Sequence, residues 1–268
     1  MYLSDYHMHC ALSFDSETPA EDMIRAGIAA GMQEICLTDH VDLFETGSTE
    51  RWAHDFSDRE AVFARAERAA AGRLIVRRGI ELGEAARNPA YADELLARLP
   101  GLDFIIGSQH QLSEKYGYTD LYFMPGGTEE EARAQIADYL PLMLETAKLG
   151  KFSVLGHLTL PLRYMNENHG LHMSFDGFED EMAQILRMVI EGGRGIECNV
   201  NRGHTPLPDK KWLKLYRELG GEIVTIGTDA HTPEYVGGYV RETQELLRDC
   251  GFGYVCTFEK MKPVFHKI

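Results

Sequence analysis

Side chains that bind divalent cations recur at one structural position in this chain, directly after short apolar segments. The first segment leads into His7-Met8-His9, and a late one leads into Asp229-Ala230-His231. Residues i and i+2 of an extended segment point to the same side, so the two outer residues of each triplet can reach one cation. Imidazole and carboxylate groups are ligands that zinc, manganese and iron accept. Both segments therefore predict metal ligands.

Four further apolar segments end in the same way, in Asp39-His40, in Glu81, in His110 and in His157. A single histidine is more often a hydrogen-bonded residue of the core or the surface than a ligand. Six such segments in one chain are hard to obtain by chance. We therefore predict one cation site with several metal ions, and its candidate ligands are His7, His9, His40, Glu81, His110, His157, Asp229 and His231.

Short strands alternating with helices must position these residues. Amphipathic helical patterns separate the apolar segments, and this alternation is typical of an α/β fold with parallel strands. Seven such units in 268 residues favour a TIM-like (β/α) barrel, in which all strand carboxyl ends face one rim. The predicted strands are Leu3–Tyr6, Glu34–Leu37, Leu74–Ile80, Phe104–Ile106, Phe152–Leu155, Gly195–Cys198 and Ile223–Ile226, with a weaker one at Tyr254–Phe258.

The clearest helix start is Thr18-Pro19-Ala20-Glu21, which has the pattern of a capping box with proline at the first helical position. Further helices are expected between the strands. The polar segment 42–55 and a second long segment, 158–174, are predicted to be loops, and long loops in α/β domains are usually functional. The predicted helices after the first are Asp58–Ala71, Pro89–Arg98, Thr128–Leu149, Phe178–Glu191, Asp209–Leu219 and Arg241–Asp249.

Composition and charge exclude several classes of function. The formal net charge of −15 argues against nucleic-acid binding, since such a surface repels phosphate backbones. No run approaches the roughly 20 apolar residues of a membrane span, and the first residues do not resemble a signal peptide. The 5 cysteines show no CxxC spacing, which fits a cytoplasmic protein with Cys36 and Cys256 in its core.

The strand-end residues together resemble the PHP superfamily of polymerase-associated and histidinol phosphatase domains. The resemblance covers the whole chain and rests on the two triplets above, with Thr38-Asp39-His40, Gly79-Ile80-Glu81, Ser108-Gln109-His110 and Gly156-His157. It implies a single metal-dependent phosphoesterase domain over residues 1–268, folded as a distorted seven-stranded barrel. The segment Thr38–Asp42, the length and the lack of fused domains most resemble the stand-alone members that hydrolyse L-histidinol phosphate.

The resemblance also implies up to three divalent metal ions, of zinc, manganese or iron. Many relatives have histidine where this chain has Asp15, and a carboxylate binds the same metals. The first ion would be held by His7, His9, Glu81 and Asp229, the second by Glu81, His110 and His157, and the third by Asp15, His40 and His231.

The implied reaction is hydrolysis of a phosphomonoester by a hydroxide that bridges two metal ions. Arg163 and Arg202 follow strand ends and are candidates for binding the phosphate, because arginine makes bidentate phosphate contacts. Glu81 would bridge the metals, and Asp229, His231 or the loop residue His204 would assist the leaving group. The carboxylates Asp42, Glu45 and Glu84 are expected at an acidic rim that favours a cationic substrate. Of the other histidines, His172 is in a loop that can reach the site, whereas His54 and His266 are read as structural.

Three alternatives remain open. Another phosphoesterase of the same superfamily, acting on phosphotyrosine, a nucleotide or a sugar phosphate, would share the metal ligands. An amidohydrolase that cleaves C–N bonds also begins with HxH, but it usually bridges its metals with a modified lysine, and no lysine follows a strand here. A non-catalytic metal-stabilised scaffold is disfavoured, since structural zinc sites are closed and often rich in cysteine. The oligomeric state is left open.

Overall fold

Ten strands and seven helices alternate along the chain in the computed structural model, which describes residues 1–268. All seven predicted main strands and the weaker eighth are present, with ends that shift by up to three residues. The strands are β1 Ser4–Asp5, β2 Glu34–Leu37, β3 His40–Asp42, β4 Ile75–Gly83, β5 Phe104–Ser108, β6 Val154–Leu155, β7 Gly195–Asn199, β8 Val224–Gly227, β9 Tyr254–Glu259 and β10 Lys262–Lys267.

The main sheet is a nearly closed barrel of seven parallel strands, which confirms the predicted fold class. The strand order is β1-β2-β4-β5-β6-β7-β8, and β3 pairs with the carboxyl-terminal part of β4. Backbone hydrogen bonds join the first and last strands: the Tyr6 N–H donates to the Ile226 carbonyl at 2.9 Å, and the Asp229 N–H donates to the His7 carbonyl at 2.8 Å. The carboxyl ends of all seven strands therefore lie at one rim.

The sequence patterns did not indicate two of the strands. Strand β3 falls partly in the predicted loop 42–55, and it is extended because its three residues pair with Glu81–Gly83 of β4. This pairing places His40 directly opposite Glu81. Strand β10 forms an antiparallel hairpin with β9, and its residues lack a continuous apolar run. The extended conformation of both strands depends on pairing with a neighbouring strand rather than on their own composition.

Seven helices cover the outside of the barrel, close to the predicted ranges. The capping box predicted at the start of α1 is wrong: the Thr18 hydroxyl makes no cap and donates instead to the His231 carbonyl at 2.9 Å. A capping box does form at α4, between Thr128 and Glu131. No helix has both the length and the apolar character needed to cross a membrane. The helices are α1 Ala20–Ala29, α2 Arg59–Ala70, α3 Pro89–Ala97, α4 Glu129–Leu149, α5 Glu179–Glu191, α6 Lys210–Glu218 and α7 Val240–Asp249.

A small apolar cluster in which β9 takes part closes the amino-terminal end of the barrel. Phe258 of β9 packs against Phe104, with ring centroids 5.0 Å apart, and Phe104 packs edge-on against Tyr6. Cys36 and Cys256 lie in the same cluster, as predicted, and all five cysteines are free and buried. The hairpin thus seals one end of the barrel, and the cation ligands gather at the other.

Replacing Phe258 by alanine tests this seal. The Phe258 side chain is 2% exposed, so Phe258→Ala should lower the free energy of unfolding by about 3–5 kcal/mol, as truncation of a buried aromatic residue does. The matched control is Phe265→Ala on the paired strand, where the side chain is 45% exposed and the loss should be far smaller. Urea denaturation measures both values. Equal losses for the two variants would contradict the packing described here.

Candidate metal centre

The carboxylate of Glu81 lies at the centre of the rim and is 1% exposed. Its Oε1 atom is 2.8 Å from His157 Nε2 and 3.0 Å from His110 Nε2, and it accepts a hydrogen bond from Ser108 Oγ at 2.6 Å. Its Oε2 atom faces three more ring nitrogens, at 3.1 to 3.5 Å, which belong to His7, His40 and His9. Five imidazoles from four separate segments therefore surround one buried carboxylate.

A second group of ligands lies beside Glu81, where the first and last strands meet. Asp229 Oδ1 is 3.3 Å from His9 Nε2 and 3.5 Å from His7 Nε2. The ligand atoms of these three residues fall within 4.8 Å of one another, as a metal site requires. The structure thus brings together the four residues that the family resemblance implied for the first ion.

A third group lies at the outer edge of the rim and contains Asp15. Its Oδ2 atom is 2.9 Å from His231 Nε2 and 3.5 Å from His40 Nε2, and the ring of His9 stacks between the two histidines. Asp15 is exposed, yet its carboxylate lies between two histidines, a position that fits the predicted ligand of a third ion.

Glycine at two strand ends makes room for the crowded carboxylates. A Cβ atom on Gly83 at the end of β4 would lie 2.1 Å from Asp42 Oδ1, and one on Gly227 at the end of β8 would lie 2.1 Å from Glu197 Oε1. Any larger residue at either position would displace a carboxylate from the back of the site.

Added positive charge would stabilise the buried carboxylates of the centre. Burial alone would lower the pKa of His7, but the carboxylates of Glu197 and Glu81 raise it well above its usual value. Burial opposes protonation of His40 and His110 as well, and Asp42 and Glu81 raise the pKa of both. Around Glu81 the protein on its own supplies this charge with protons on buried imidazoles, whereas divalent cations supply it with neutral imidazole ligands.

Buried polar atoms at the centre also fit bound cations. His9 Nε2 has no hydrogen-bond partner although it faces Asp229 and Glu81, and its Nδ1 is held by Ser13 Oγ at 3.0 Å. Its pKa is lowered to about 3 by burial and by the neighbouring His231 and His40, so the ring is neutral and its lone pair is available. A buried acceptor of this kind is costly unless a cation or donor satisfies it. The residues present therefore fit divalent metal ions.

The predicted phosphate-binding residues lie close to the ligands. Arg163 donates to Asp229 Oδ2 at 2.7 Å, to Asn199 Oδ1 at 2.9 Å and to Asn201 Oδ1 at 2.9 Å. A guanidinium has five N–H donors, so two of them remain for a ligand. A cavity opens at the rim, and Arg163 and Arg202 line it together with His40, Glu81, His110, His157, Asp229 and His231. Arg202 is exposed and stacks on Tyr235.

The loop histidines lie away from the centre. His204 is 61% exposed and is not part of the cavity lining, and its nearest acidic neighbour is Glu167 at 3.9 Å. His172 is also exposed and away from the cavity. The structural reading of His54 agrees with its ring, which bonds the Asp42 carbonyl at 2.7 Å, and His266 bonds Thr257 at 2.8 Å.

A comparison with known protein families identifies the family of this chain. The sequence profile described as the PHP domain matches residues 5–201, about three quarters of the chain. The chain belongs to the PHP domain family. Asp229 and His231 lie outside the matched range, yet the fold places them among ligands that lie inside it.

Relatives of this PHP domain match over nearly their whole length. A histidinol-phosphatase of Lactococcus lactis is 26% identical, with 96% of this chain and 95% of the relative covered. A probable histidinol-phosphatase of Thermotoga maritima is 27% identical, with 94% of each chain covered. The crystal structure of histidinol phosphate phosphatase from Lactococcus lactis, complexed with zinc, L-histidinol and phosphate, shares the fold with a TM-score of 0.82 at 22% identity, over 98% of both chains.

Of the three carboxylates expected at an acidic rim, Asp42 lines the cavity, whereas Glu84 and Glu45 do not. Sequence reasoning missed a further carboxylate, Glu197. In this PHP domain Asp42 is buried against His110 Nδ1 at 3.3 Å, and Glu84 is fully buried and accepts the His110 N–H at 2.7 Å. Glu197 bonds His7 Nδ1 at 2.7 Å and was not a candidate at all. Its only signal was a charged residue inside an otherwise apolar strand, between Ile196 and Cys198.

We predict that chelation reverses the pH dependence of stability. Without metal, the raised pKa values of His7, His40 and His110 add stability that is complete below their unfolded value of about 6.5 and is lost as the pH rises. Metal ions bind deprotonated imidazoles, so their stabilisation grows with pH over the same range. Denaturant unfolding should therefore show falling stability from pH 6.5 upward in chelator and rising stability in excess Mn²⁺.

Parallel curves in chelator and in Mn²⁺ would contradict the assignment of these histidines as ligands. Glu81 provides an internal check in acid. Burial would raise the pKa of Glu81, but the surrounding histidines hold it well below its usual value. The stability that ionised Glu81 adds is therefore complete above the pKa of an ordinary carboxylate and is lost as the pH falls further, through the lowered pKa.

Proposed function

We propose that this protein is a metal-dependent phosphomonoester hydrolase whose substrate is L-histidinol phosphate, which it converts to L-histidinol and phosphate. One observation carries the proposal: the ring of ligands around Glu81 opens into the cavity that Arg163 and Arg202 also line. A cation cluster beside arginine donors with free N–H groups is suited to a phosphate ester. The names of the relatives support the choice of substrate.

The lining of the cavity supports a cationic leaving group. The cavity has a volume of about 450 Å³ and contains, besides the ligands and arginines, the carboxylates of Asp120 and Glu167 and the rings of Tyr122 and Tyr164. The two tyrosine rings meet edge to face with centroids 5.8 Å apart. Carboxylates beside aromatic faces favour a ring that bears positive charge. L-histidinol has an imidazole and an amine, so its chemistry agrees with this lining.

Two or three divalent ions would be held by the nine predicted ligands: His7, His9, Asp15, His40, Glu81, His110, His157, Asp229 and His231. When bound, such ions lower the pKa of water and neutralise phosphoryl oxygens. Side chains of the protein would make the other contacts with the phosphoryl group. Arg163 donates its two remaining N–H groups to the phosphoryl group and holds Asp229 at 2.7 Å.

Proton transfer is assigned to Asp229. Burial would raise its pKa, but His7 and Arg163 lower it well below the usual value, so the carboxylate is ionised. It is a weak base, so it would hold the proton of the attacking water only transiently and release it readily. Return of that proton to the alkoxide oxygen completes the cleavage of the P–O bond. His231 is placed to bind the third ion with Asp15. His204 is left out of this scheme because it lies outside the cavity.

The alternatives fit this structure less well. A non-catalytic scaffold does not need an open cavity lined by arginines that retain free donors. An amidohydrolase usually has a bridging lysine, and no lysine lines the cavity. Another phosphate ester remains the second candidate, since the same ligands serve it. We further propose a cytoplasmic location, which the five free cysteines support.

The substrate prediction is tested with a panel of phosphomonoesters. Purified protein loaded with Mn²⁺ or Zn²⁺ should release phosphate from L-histidinol phosphate with a higher kcat/KM than from phosphotyrosine, glycerol phosphate or a sugar phosphate. The reason is the match between the cationic leaving group and the carboxylates of the cavity. Phosphate release at matched enzyme concentration measures each value. Equal, low values across the panel would overturn the named substrate but not the phosphoesterase chemistry.

The variant Glu167→Gln, assayed on the same panel, tests whether a carboxylate of the cavity recognises the cationic leaving group. The Glu167 carboxylate accepts a hydrogen bond from Asn201 Nδ2, and glutamine keeps that acceptor but loses the charge. The kcat/KM for L-histidinol phosphate should fall by about tenfold, as expected for loss of one partly exposed charge contact, with little change for glycerol phosphate, whose leaving group is uncharged. A uniform loss across the panel would indicate structural damage instead.

A further inference from the structure

Glu197 is a buried carboxylate that none of the implied metal groups includes. It lies in β7, and its side chain is 1% exposed. Both oxygens have partners: Oε1 is 2.7 Å from His7 Nδ1, and Oε2 accepts the backbone N–H of His157 at 2.7 Å. A weaker contact of 3.4 Å joins Oε2 to the Asn199 amide. One carboxylate thus contacts two predicted ligands that are 150 residues apart in the sequence.

The contact with His7 determines which ring nitrogen faces the centre. A carboxylate only accepts hydrogen bonds, so the proton of a neutral His7 ring sits on Nδ1, and Nε2 keeps its lone pair. That Nε2 atom faces Glu81 Oε2 at 3.1 Å and Asp229 Oδ1 at 3.5 Å. His7 is therefore prepared to bind a cation through the atom that points at both carboxylates.

The contact with His157 determines where a second imidazole lies. The backbone of His157 has a φ of 20°, at the edge of the left-handed region, and the Glu197 carboxylate holds its N–H. From that position the ring directs Nε2 at Glu81 Oε1, 2.8 Å away. The rings of His7 and His157 have centroids 5.6 Å apart, and Glu197 lies behind both.

The barrel is shaped around this carboxylate. A Cβ atom at Gly227 would lie 2.1 Å from Glu197 Oε1, and one at Gly156 would lie 3.7 Å from Oε2. The glycine on β8 thus leaves the space that the side chain needs to reach across the barrel to His7. Asp42 lies behind His40 and His110 in a similar way, but at the longer distances of 3.6 and 3.3 Å.

We propose that Glu197 is a positioning residue of the metal centre: it fixes the tautomer of His7 and the place of His157, and so sets the spacing between the first and second cation positions. The proposal rests on the metal-dependent function proposed above. It predicts that the loss of one acceptor oxygen changes metal binding without removing any ligand. A carboxylate behind a ligating histidine typically affects metal affinity by about 10–100-fold.

The test compares three proteins by their binding of Mn²⁺ alone. Glu197→Gln keeps the shape but has a single acceptor oxygen for two donors, so one of the two ligands loses its support. Glu34→Gln is the matched control, since Glu34 is also buried on a barrel strand but bonds Tyr2, Tyr6 and Arg77 at the amino-terminal end. Isothermal titration gives affinity and stoichiometry, and electron paramagnetic resonance distinguishes coupled from isolated Mn²⁺.

For Glu197→Gln we expect Mn²⁺ affinity to fall by about 10–100-fold at one position, with the coupled spectrum replaced by that of isolated ions. Glu34→Gln should unfold more easily yet bind Mn²⁺ as the wild type does. If Glu197→Gln fails to fold by circular dichroism, Glu197→Asp takes its place, because it keeps both oxygens but withdraws them by one methylene. Weaker Mn²⁺ binding by that variant supports the proposal.

Unchanged affinity and coupling in the Glu197 variant, with wild-type protein that binds Mn²⁺ and hydrolyses its substrate, would overturn the positioning role alone. Wild-type protein that binds no Mn²⁺ would overturn the proposed function and this role with it. An equal loss of affinity in Glu197→Gln and Glu34→Gln would show that Glu197 acts through general stability, which also contradicts the proposal.

Discussion

Burial of the Glu81 carboxylate among five imidazoles is the constraint on which the rest of this structure depends. An ionised carboxylate removed from water is costly unless positive charge or donors surround it. The barrel supplies imidazoles for that role from the segment after β1, from β3 and from the segments after β5 and β6. None of these segments adjoins Glu81 in the sequence, and strand pairing brings them next to it. The parallel barrel therefore brings together the groups that stabilise the buried charge of Glu81.

The residues of the centre form two layers with different tasks. The inner layer points ring nitrogens and carboxylate oxygens at one another over 2.8–3.5 Å, which suits shared cations. The outer layer holds the inner one in place: Glu197 bonds His7, Asp42 lies against His110, and Glu84 accepts the backbone N–H of His110. Glycine at the strand ends makes this arrangement sterically possible. Arg163 connects the two layers, because it contacts Asp229 at 2.7 Å and has N–H donors left for the proposed phosphate contact.

Much of this arrangement could be predicted from the sequence, because buried parallel strands and the polar residues that end them are both local signals. His7, Glu81 and Asp229 were identified in that way. Strand β3 could not be, since its extended form depends on pairing with β4. Glu84 looked like a surface charge until the fold placed it beneath His110. Likewise Thr18 matched a helix cap but bonds the His231 carbonyl, a partner 213 residues away.

We expect these distant residues to hold one compact cluster of divalent ions. Anomalous diffraction from crystals grown with Zn²⁺ or Mn²⁺, recorded on both sides of the metal absorption edge, tests it most directly. Two or three peaks are expected at the rim, with Glu81 oxygens and histidine nitrogens at about 2.0–2.2 Å from the ions. Peaks confined to the surface, with His7, Glu81, His157 and Asp229 bound to no ion, would contradict it.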